Sequence, residues 1–531
     1  MLQRVGINII ACLLLSTTFS AQNLIPDENF GKGGCTSTSF KTLDSRISAL
    51  ALQPDKKIIA CGSAFSGHSN RLAIARFNSD GSIDETFGTS GKVLAPFGTY
   101  MEYETNTLQV LKDGSILVAA TNGLLSDQHI VLLKFTADGK PEKSFGSDGV
   151  VKAVFQNKSV ASSLAIQSDG KIIVGGKLFE EFSLDYTDFL ISRFLPDGTP
   201  DDSFGVKGSA IINFGTTINR HAVSEDAIYT LKLQPDGKIL AAGYTYAEPT
   251  HSTSDFALLR LNFDGSPDTT FGKNGRVITN FKHGETAHTM QLLDDGKIIL
   301  GGILFFNDDS SQKACLAKYN IDGSLDKTFG HDGKVTTDLN GGSASGFTFS
   351  SILQKNGKLL LTGYINNVDA DLLIIRYNPD GDLDETFGDN GQFTADVGGN
   401  ETAYTSISQP DGTIFLGGST QSNSYRSFLL TKFKPELQSN FEVGSTTFSV
   451  SPNPFTQYID VEFSLKKSEP LHIEIVDSAG NSITSVVPDQ PCGAGCISER
   501  IVLPETLSEG MYFLNVSNGA TVSTVRIQKT E

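Results

Sequence analysis

Between residues 50 and 434, short runs of apolar and polar positions return in the same order seven times. Each round opens on a half-apolar stretch that stops at a turn: LALQPDKK (50–57), QVLKDGS (109–115), AIQSDGK (165–171), KLQPDGK (232–238), LLDDGK (292–297), ILQKNGK (352–358) and ISQPDGT (407–413). A continuous apolar run follows, such as IIVGG (172–176) or IILGG (298–302). A third run alternates and ends in a base followed by an apolar residue: ARF, LKF, SRF, LRL, AKY, IRY and TKF. Then come DGSxDxTFG and a fourth short run such as GRVITNF (275–281). Asp-Gly and Asn-Gly between such runs mark hairpins, because glycine supplies the positive φ the turns need. The Phe-Gly pair recurs in register at Phe30, Phe87, Phe145, Phe204, Phe271, Phe329 and Phe387, at intervals of 57, 58, 59, 67, 58 and 58. A period this regular identifies a repeat array.

First, second and third strands each occur seven times, but the last round stops at TKFKPE (431–436) without DGSxDxTFG or a fourth strand. A strand of the fourth type, about 33–43, stands alone before the first round. The start of the array therefore supplies what its end lacks, which is how a ring of four-stranded sheets closes and hides its edges. The spacing predicts an all-β chain: a seven-bladed β-propeller over 23–434 closed by an N-terminal strand, then a linker (435–445) and a small C-terminal β-sandwich (446–531). An open β-solenoid would not need its start to complete its end. Residues 1–21 read as a secretory signal peptide, with Arg4, an apolar core from Ile9 to Leu15 and small residues Ser20 and Ala21. That core is too short to span a membrane.

The repeats resemble the delta-60 family of exported bacterial proteins, whose consensus runs close to LQPDGKILVAG…DFALARYNPDGSLDTTFGxxGxV. The resemblance implies a propeller and brings no activity with it. The last 90 residues are similar to the type A C-terminal sorting domain of the type IX secretion system. They carry Pro452-Asn453-Pro454, Asp477 to Gly480, Gly510-Met511-Tyr512-Phe513 and Arg526 to Lys529. That resemblance implies a Bacteroidetes-type source, the type IX machinery as partner, and a chain that is secreted or held at the outer surface once signal and sorting domain are processed.

Composition narrows the partners. The net charge of −18, from 60 acidic and 42 basic residues without a basic run, argues against nucleic acid. Of the six cysteines, Cys12 lies in the signal; Cys61 and Cys315 sit in apolar runs as ordinary buried thiols; Cys35 has no assigned role. Cys492 and Cys496 are a bridge or two free thiols. No HExxH, G-x-S-x-G, phosphate loop or CxxC is present, so neither a catalytic set nor a cofactor is predicted.

Two sets recur in every repeat. The carboxylates Asp27, Asp84, Glu142, Asp201, Asp268, Asp326 and Asp384 each precede a Phe-Gly by three residues. They lack calcium-loop spacing, so calcium is disfavoured there, and backbone capping of the turn is the simpler role. The third-strand bases Arg76, Lys134, Arg193, Arg260, Lys318, Arg376 and Lys432 are expected to pair with the neighbouring turns. Elements present in every blade point to scaffold. Binding is expected on the opposite face, where loops vary: 177–188, 244–255, 303–314 and 419–427, with Tyr186, Tyr244, Tyr246, His251, Phe305, Phe306 and Tyr425 as candidate contacts. Asp226, Glu285 and Glu401 begin first strands at that face. They are weak candidates for a cation-holding ring, with solvated crossings as the plainer role. The function expected is a non-enzymatic exported propeller that binds an extracellular protein or glycan. The alternatives are a glycan-active hydrolase or lyase on the same scaffold, or a structural surface component.

Overall fold

The computed structural model describes residues 24–41, 43–65, 70–95, 107–123, 127–153, 155, 157–180, 186–215, 217–218, 221–222, 224–246, 253–306, 312–339, 345–366, 369–421, 425–435, 441–443, 446–451, 455, 458–465, 471–477, 480–486, 495–504, 507–518 and 521–529. The expected signal peptide, Pro452-Asn453-Pro454, His251 and Cys492 fall outside these residues. Every named element is a β-strand, and the chain divides into two compact units: Pro26–Lys434 and a second that takes up the chain from Pro435.

In the first unit the described residues form seven sheets on one plan. Sheet 4 is typical: Asp226–Leu233, Ile239–Thr245, Asp255–Leu261 and Arg276–Thr279 pair antiparallel in chain order. Its two middle strands are buried along their whole length, which is why they read as unbroken apolar runs. The innermost strands of sheets 1 to 7 are, in order, Asp44–Leu52, Thr107–Val110, Ser159–Ile166, Asp226–Leu233, Gly284–Leu292, Ser345–Leu353 and Asn400–Ser408. Each touches the next, and the last touches the first, so the sheets make a closed propeller. Adjacent sheets bury apolar faces on each other; Ile173 and Ile191 of sheet 3, for example, pack with Ile228, Leu231 and Leu259 of sheet 4.

The Phe-Gly motif is the clip between sheets. Gly205 N–H donates to the Asp264 carbonyl in the next sheet's turn at 2.8 Å, and Gly272 does the same to Asp322 at 2.8 Å. The Phe204 ring lies under Gly265, where φ is +85° and an added Cβ would sit 2.9 Å from the ring. Glycine is therefore required both for the turn and for the close approach. The same clip closes the circle: Gly31 N–H donates to Asp80 O at 2.7 Å. Cys35–Thr38 pairs antiparallel with Ser427–Pro435, Cys35 opposite Thr431 and Thr38 opposite Phe428. The N-terminal segment thus returns to the seventh sheet both the strand and the Asp-Phe-Gly motif that the last repeat lacks. The strand is shorter than the 33–43 expected, because the backbone turns at Phe40, which bridges to Leu43.

The second unit is a β-sandwich of two four-stranded sheets over a core that includes Phe448, Val450, Ile473, Ile475, Leu514, Val516, Val525 and Ile527. Its GMYFL and R-x-x-K segments are neighbours: Gly510–Ser517 pairs with Val522–Lys529, placing Phe513 opposite Arg526 and Gly510 opposite Lys529. Tyr512 is buried and donates its hydroxyl to Ser508 O at 2.8 Å, while Met511 on the other side of the strand is exposed. Asp477 caps the D-x-x-G turn, accepting from Asn481 N–H at 2.8 Å.

Candidate functional site

The two ends of the propeller are built differently. At the turn end, buried Arg260 donates from Nε to Asp268 Oδ2 at 2.8 Å and from a terminal nitrogen to Ile321 O of the next sheet at 2.6 Å. Its guanidinium lies 4.2 Å over the Phe271 ring. Lys238 joins at 3.0 Å, and Thr270 donates N–H and hydroxyl to the second oxygen of Asp268. Burial pushes Asp268 up, but the hydrogen bonds from Thr270 and Lys238 and the charge of Arg260 outweigh it and hold the carboxyl far below its usual range. The same knot recurs at Arg76–Asp84, Arg193–Asp201 and Arg376–Asp384, and with lysines at Lys318–Asp326 and Lys432–Asp27. These carboxylates are saturated by protein cations and turn donors. They tie sheet to sheet.

The opposite, crossing end corrects one expectation. Asp226, Glu285 and Glu401 do not stand in solvated crossings; all three are fully buried. Each accepts a backbone N–H from its own crossing: Phe214 to Asp226 at 2.8 Å, Phe281 to Glu285 at 2.5 Å, Val397 to Glu401 at 3.3 Å. The acids cap the turn that leads one sheet into the next. Burial, opposed by these bonds, raises Asp226 to about 7 and Glu285 to about 8. Glu401 also comes within 4.8 Å of Asp371 and exposed Asp396, a donor set of the oxygen type that suits a hard cation.

The candidate aromatics divide. Tyr244 is buried and donates to Glu225 at 2.7 Å, with Tyr246 edge-on at 5.8 Å. Phe305 meets Phe347 at 6.4 Å, whereas Phe306 packs away from it on His283 at 4.3 Å. Tyr186 is half-buried, its carbonyl taken by Glu180 N–H, and Tyr425 is exposed.

What joins several of them was not singled out in the sequence. Four adjacent innermost strands each carry a ring at their β-bulge: Tyr229, His288, Phe349 and Tyr404. Tyr229 stacks on His288 at 4.6 Å, His288 meets Phe349 at 5.2 Å, and Phe349 meets Tyr404 at 5.3 Å. Arg46 of the next sheet ends the arc, 5.6 Å over Tyr404. Tyr244 joins through Tyr229 at 5.7 Å, and Phe305 through Phe347, which stacks on Phe349 at 5.7 Å. At the same bulge, sheets 1 and 3 place Ser48 and Ser162. All four arc rings are half-buried on the strands that line the axis. Burial lowers His288 to about 4, so it is a neutral ring at neutral pH. The signal was present: these residues, with Ser48 and Ser162, each precede the turn position (56, 170, 237, 296, 357, 412) by eight.

Segments 53–87, 167–204, 234–271, 293–329 and 354–387 match the DUF5122 β-propeller, a domain of unknown function, and 449–530 match the secretion system C-terminal sorting domain. The chain carries DUF5122 propeller repeats and a type IX sorting tail. That tail directs export to the cell surface or extracellular space and implies contact with the secretion machinery. No curated protein matches the chain. Among solved structures it is similar to PorZ, an essential surface component of the type IX secretion system of Porphyromonas gingivalis, at 10% identity and TM-score 0.38 over 92% of this chain and 59% of that one. The chain thus spans about three-fifths of PorZ. It is also similar to the polysaccharide lyase Uly1 (10%, TM-score 0.43, 73% and 90% covered) and to the β-propeller domain of the trilobed protease of Pyrococcus furiosus (10%, TM-score 0.37, 74% and 94%). Likenesses this distant say nothing about activity.

Proposed function

We propose that this exported propeller is a non-enzymatic binding module that takes an extracellular glycan or protein at its crossing end. The arc Tyr229–His288–Phe349–Tyr404 carries the reading. Aromatic faces beside a cation and small hydroxyls suit the apolar face and hydroxyl rim of a sugar, or a protein side chain. The rings come from the sheets' own strands, so they are held rigidly, while the loops at 177–188 and 244–255 add variable contacts. A hydrolase or lyase reading would draw on Asp371, Asp396 and Glu401; Asp396 is exposed, and the half-buried His288 hydrogen-bonds Thr286 at 2.9 Å.

The test is a glycan and surface-protein binding screen of the exported chain, repeated with Tyr229→Ala/Tyr404→Ala and with the two loops shortened. Loss of a hit in these variants, with β-sheet circular dichroism retained, supports the reading. Equal binding by all of them sinks it.

A further inference from the structure

At the turn end one sheet departs from the rest. Sheet 2 carries Lys134, Glu142 and Ser115 where sheet 4 carries Arg260, Asp268 and Lys238. It also has Leu111 where five sheets have glutamine (Gln53, Gln167, Gln234, Gln354, Gln409). Sheet 5 shares the leucine (Leu293) and the lysine, yet there Lys297 and Lys318 both meet Asp326 and Lys318 crosses to Pro379 O at 3.3 Å. In sheet 2 the knot is undone. The Glu142 carboxylate turns to Ser144, accepting from its hydroxyl at 2.7 Å, and the Asp113 carboxylate is taken by Ser115 at 2.6 Å. Among the described residues Lys134 has no ion pair; its ammonium lies 5.9 Å over the Phe145 ring. The family repeats matched along the chain lie on either side of this sheet.

The seam between sheets 2 and 3 is consequently hollow. A cavity of about 550 Å³ opens there, walled by Leu111, Leu117, Phe145, Ile166 and Ile172, with Lys134, Lys112 and the Ser115-bonded Asp113 on its lining. That volume falls within the roughly 300–1,000 Å³ of small-molecule sites, and an apolar wall with a few placed polar groups is their usual make-up. In sheet 1 the same space is filled: Arg76 reaches Ala137 O at 2.6 Å, and Gln53 reaches Gly114 O at 3.0 Å.

We propose that this seam is a binding site for a small amphipathic carboxylic acid, its apolar body in the cavity and its carboxylate on Lys134. It lies at the opposite end from the aromatic arc and stands independently of the function proposed there. The shared chemistry, an apolar group ending in a carboxylate, belongs both to a free alkanoic acid and to the C-terminus of an apolar peptide. Isothermal titration of the exported chain distinguishes them: octanoate against octanamide, and N-acetyl-Leu-Phe-Leu with a free against an amidated C-terminus. The expected result is saturable binding of at least one acid, at least about tenfold tighter than its amide, a difference of about 1.4 kcal/mol. Lys134→Met should bring the acid down to the amide, and Leu111→Gln/Lys134→Arg, which rebuilds the plug of sheet 1 against Gly170 and Pro196, should abolish both. No saturable binding of either acid, acid and amide binding alike, or indifference to Lys134→Met would overturn the proposal. The acid–amide comparison needs no variant to fold.

Discussion

Replacing Arg260 with Met tests whether the recurring bases are scaffold. The substitution keeps most of the side-chain length and removes the bond to Asp268, the bridge to Ile321 O and the cation over Phe271. It leaves Asp268 4% exposed with Lys238 as its remaining cation. Breaking a buried pair by removing one partner costs about 3–5 kcal/mol. Lys238 recovers part of that, so ~2–4 kcal/mol is expected. For domains of 150–250 residues 1 kcal/mol moves Tm by about 2–4 °C, and by less in a longer array, so the loss should be roughly 3–6 °C by differential scanning calorimetry. Arg260→Met/Asp268→Asn should recover part of it, because the group left behind is neutral. Lys134→Met, which breaks no ion pair, should stay within about 0.5 kcal/mol, as surface substitutions do. Should Arg260→Met melt with the wild type, or Lys134→Met cost as much, the scaffold reasoning fails.

Three further outcomes are expected. Asp201, Asp326 and Asp384 are held at about 2 because hydrogen bonds and cations outweigh the burial that would raise them. The unfolded chain protonates first, so their stabilisation is complete above about pH 5 and is lost as pH falls through 3.8 towards 2; a Tm series from pH 6 to 2 should fall steeply there. Asp226 has the opposite sign: with burial raising it to about 7, the folded chain keeps the proton longer, and its contribution is lost as pH rises through 7. Asp226→Asn should therefore raise Tm more at pH 8 than at pH 5, and an equal effect at both would refute the assignment. Removing 446–531 should retain the propeller inside the outer membrane, read by cell fractionation; surface exposure without that segment would contradict its sorting role.

Much of the architecture was readable because it is written in residues with one conformational job. Asp-Gly turns, the Phe-Gly pair and the missing last motif predicted the repeat and its closure by the N-terminal strand at about 33–43. The crossing end was harder to read. Tyr229, His288, Phe349 and Tyr404 sit inside strands whose two-residue alternation is shifted by a bulge, so they look like ordinary strand residues until the strands are aligned on their turns. Asp226, Glu285 and Glu401 stand at the start of a strand, where a carboxylate usually meets water. Nothing local shows that the preceding crossing folds back to bury them and donate an N–H. The undone knot of sheet 2 was visible as Leu111, Ser115, Lys134 and Glu142, but only the packing shows that it leaves a cavity.

The central claim is that what the repeat dictates holds the ring and what it leaves free binds. It is tested most directly by titrating one ligand from the binding screen against Arg260→Met and Tyr229→Ala/Tyr404→Ala. Arg260→Met should melt several degrees lower yet bind within about twofold of wild type. Tyr229→Ala/Tyr404→Ala should lose at least about tenfold in Kd, a loss of about 1.4 kcal/mol. Binding lost with Arg260 and kept without the two tyrosines would contradict the account.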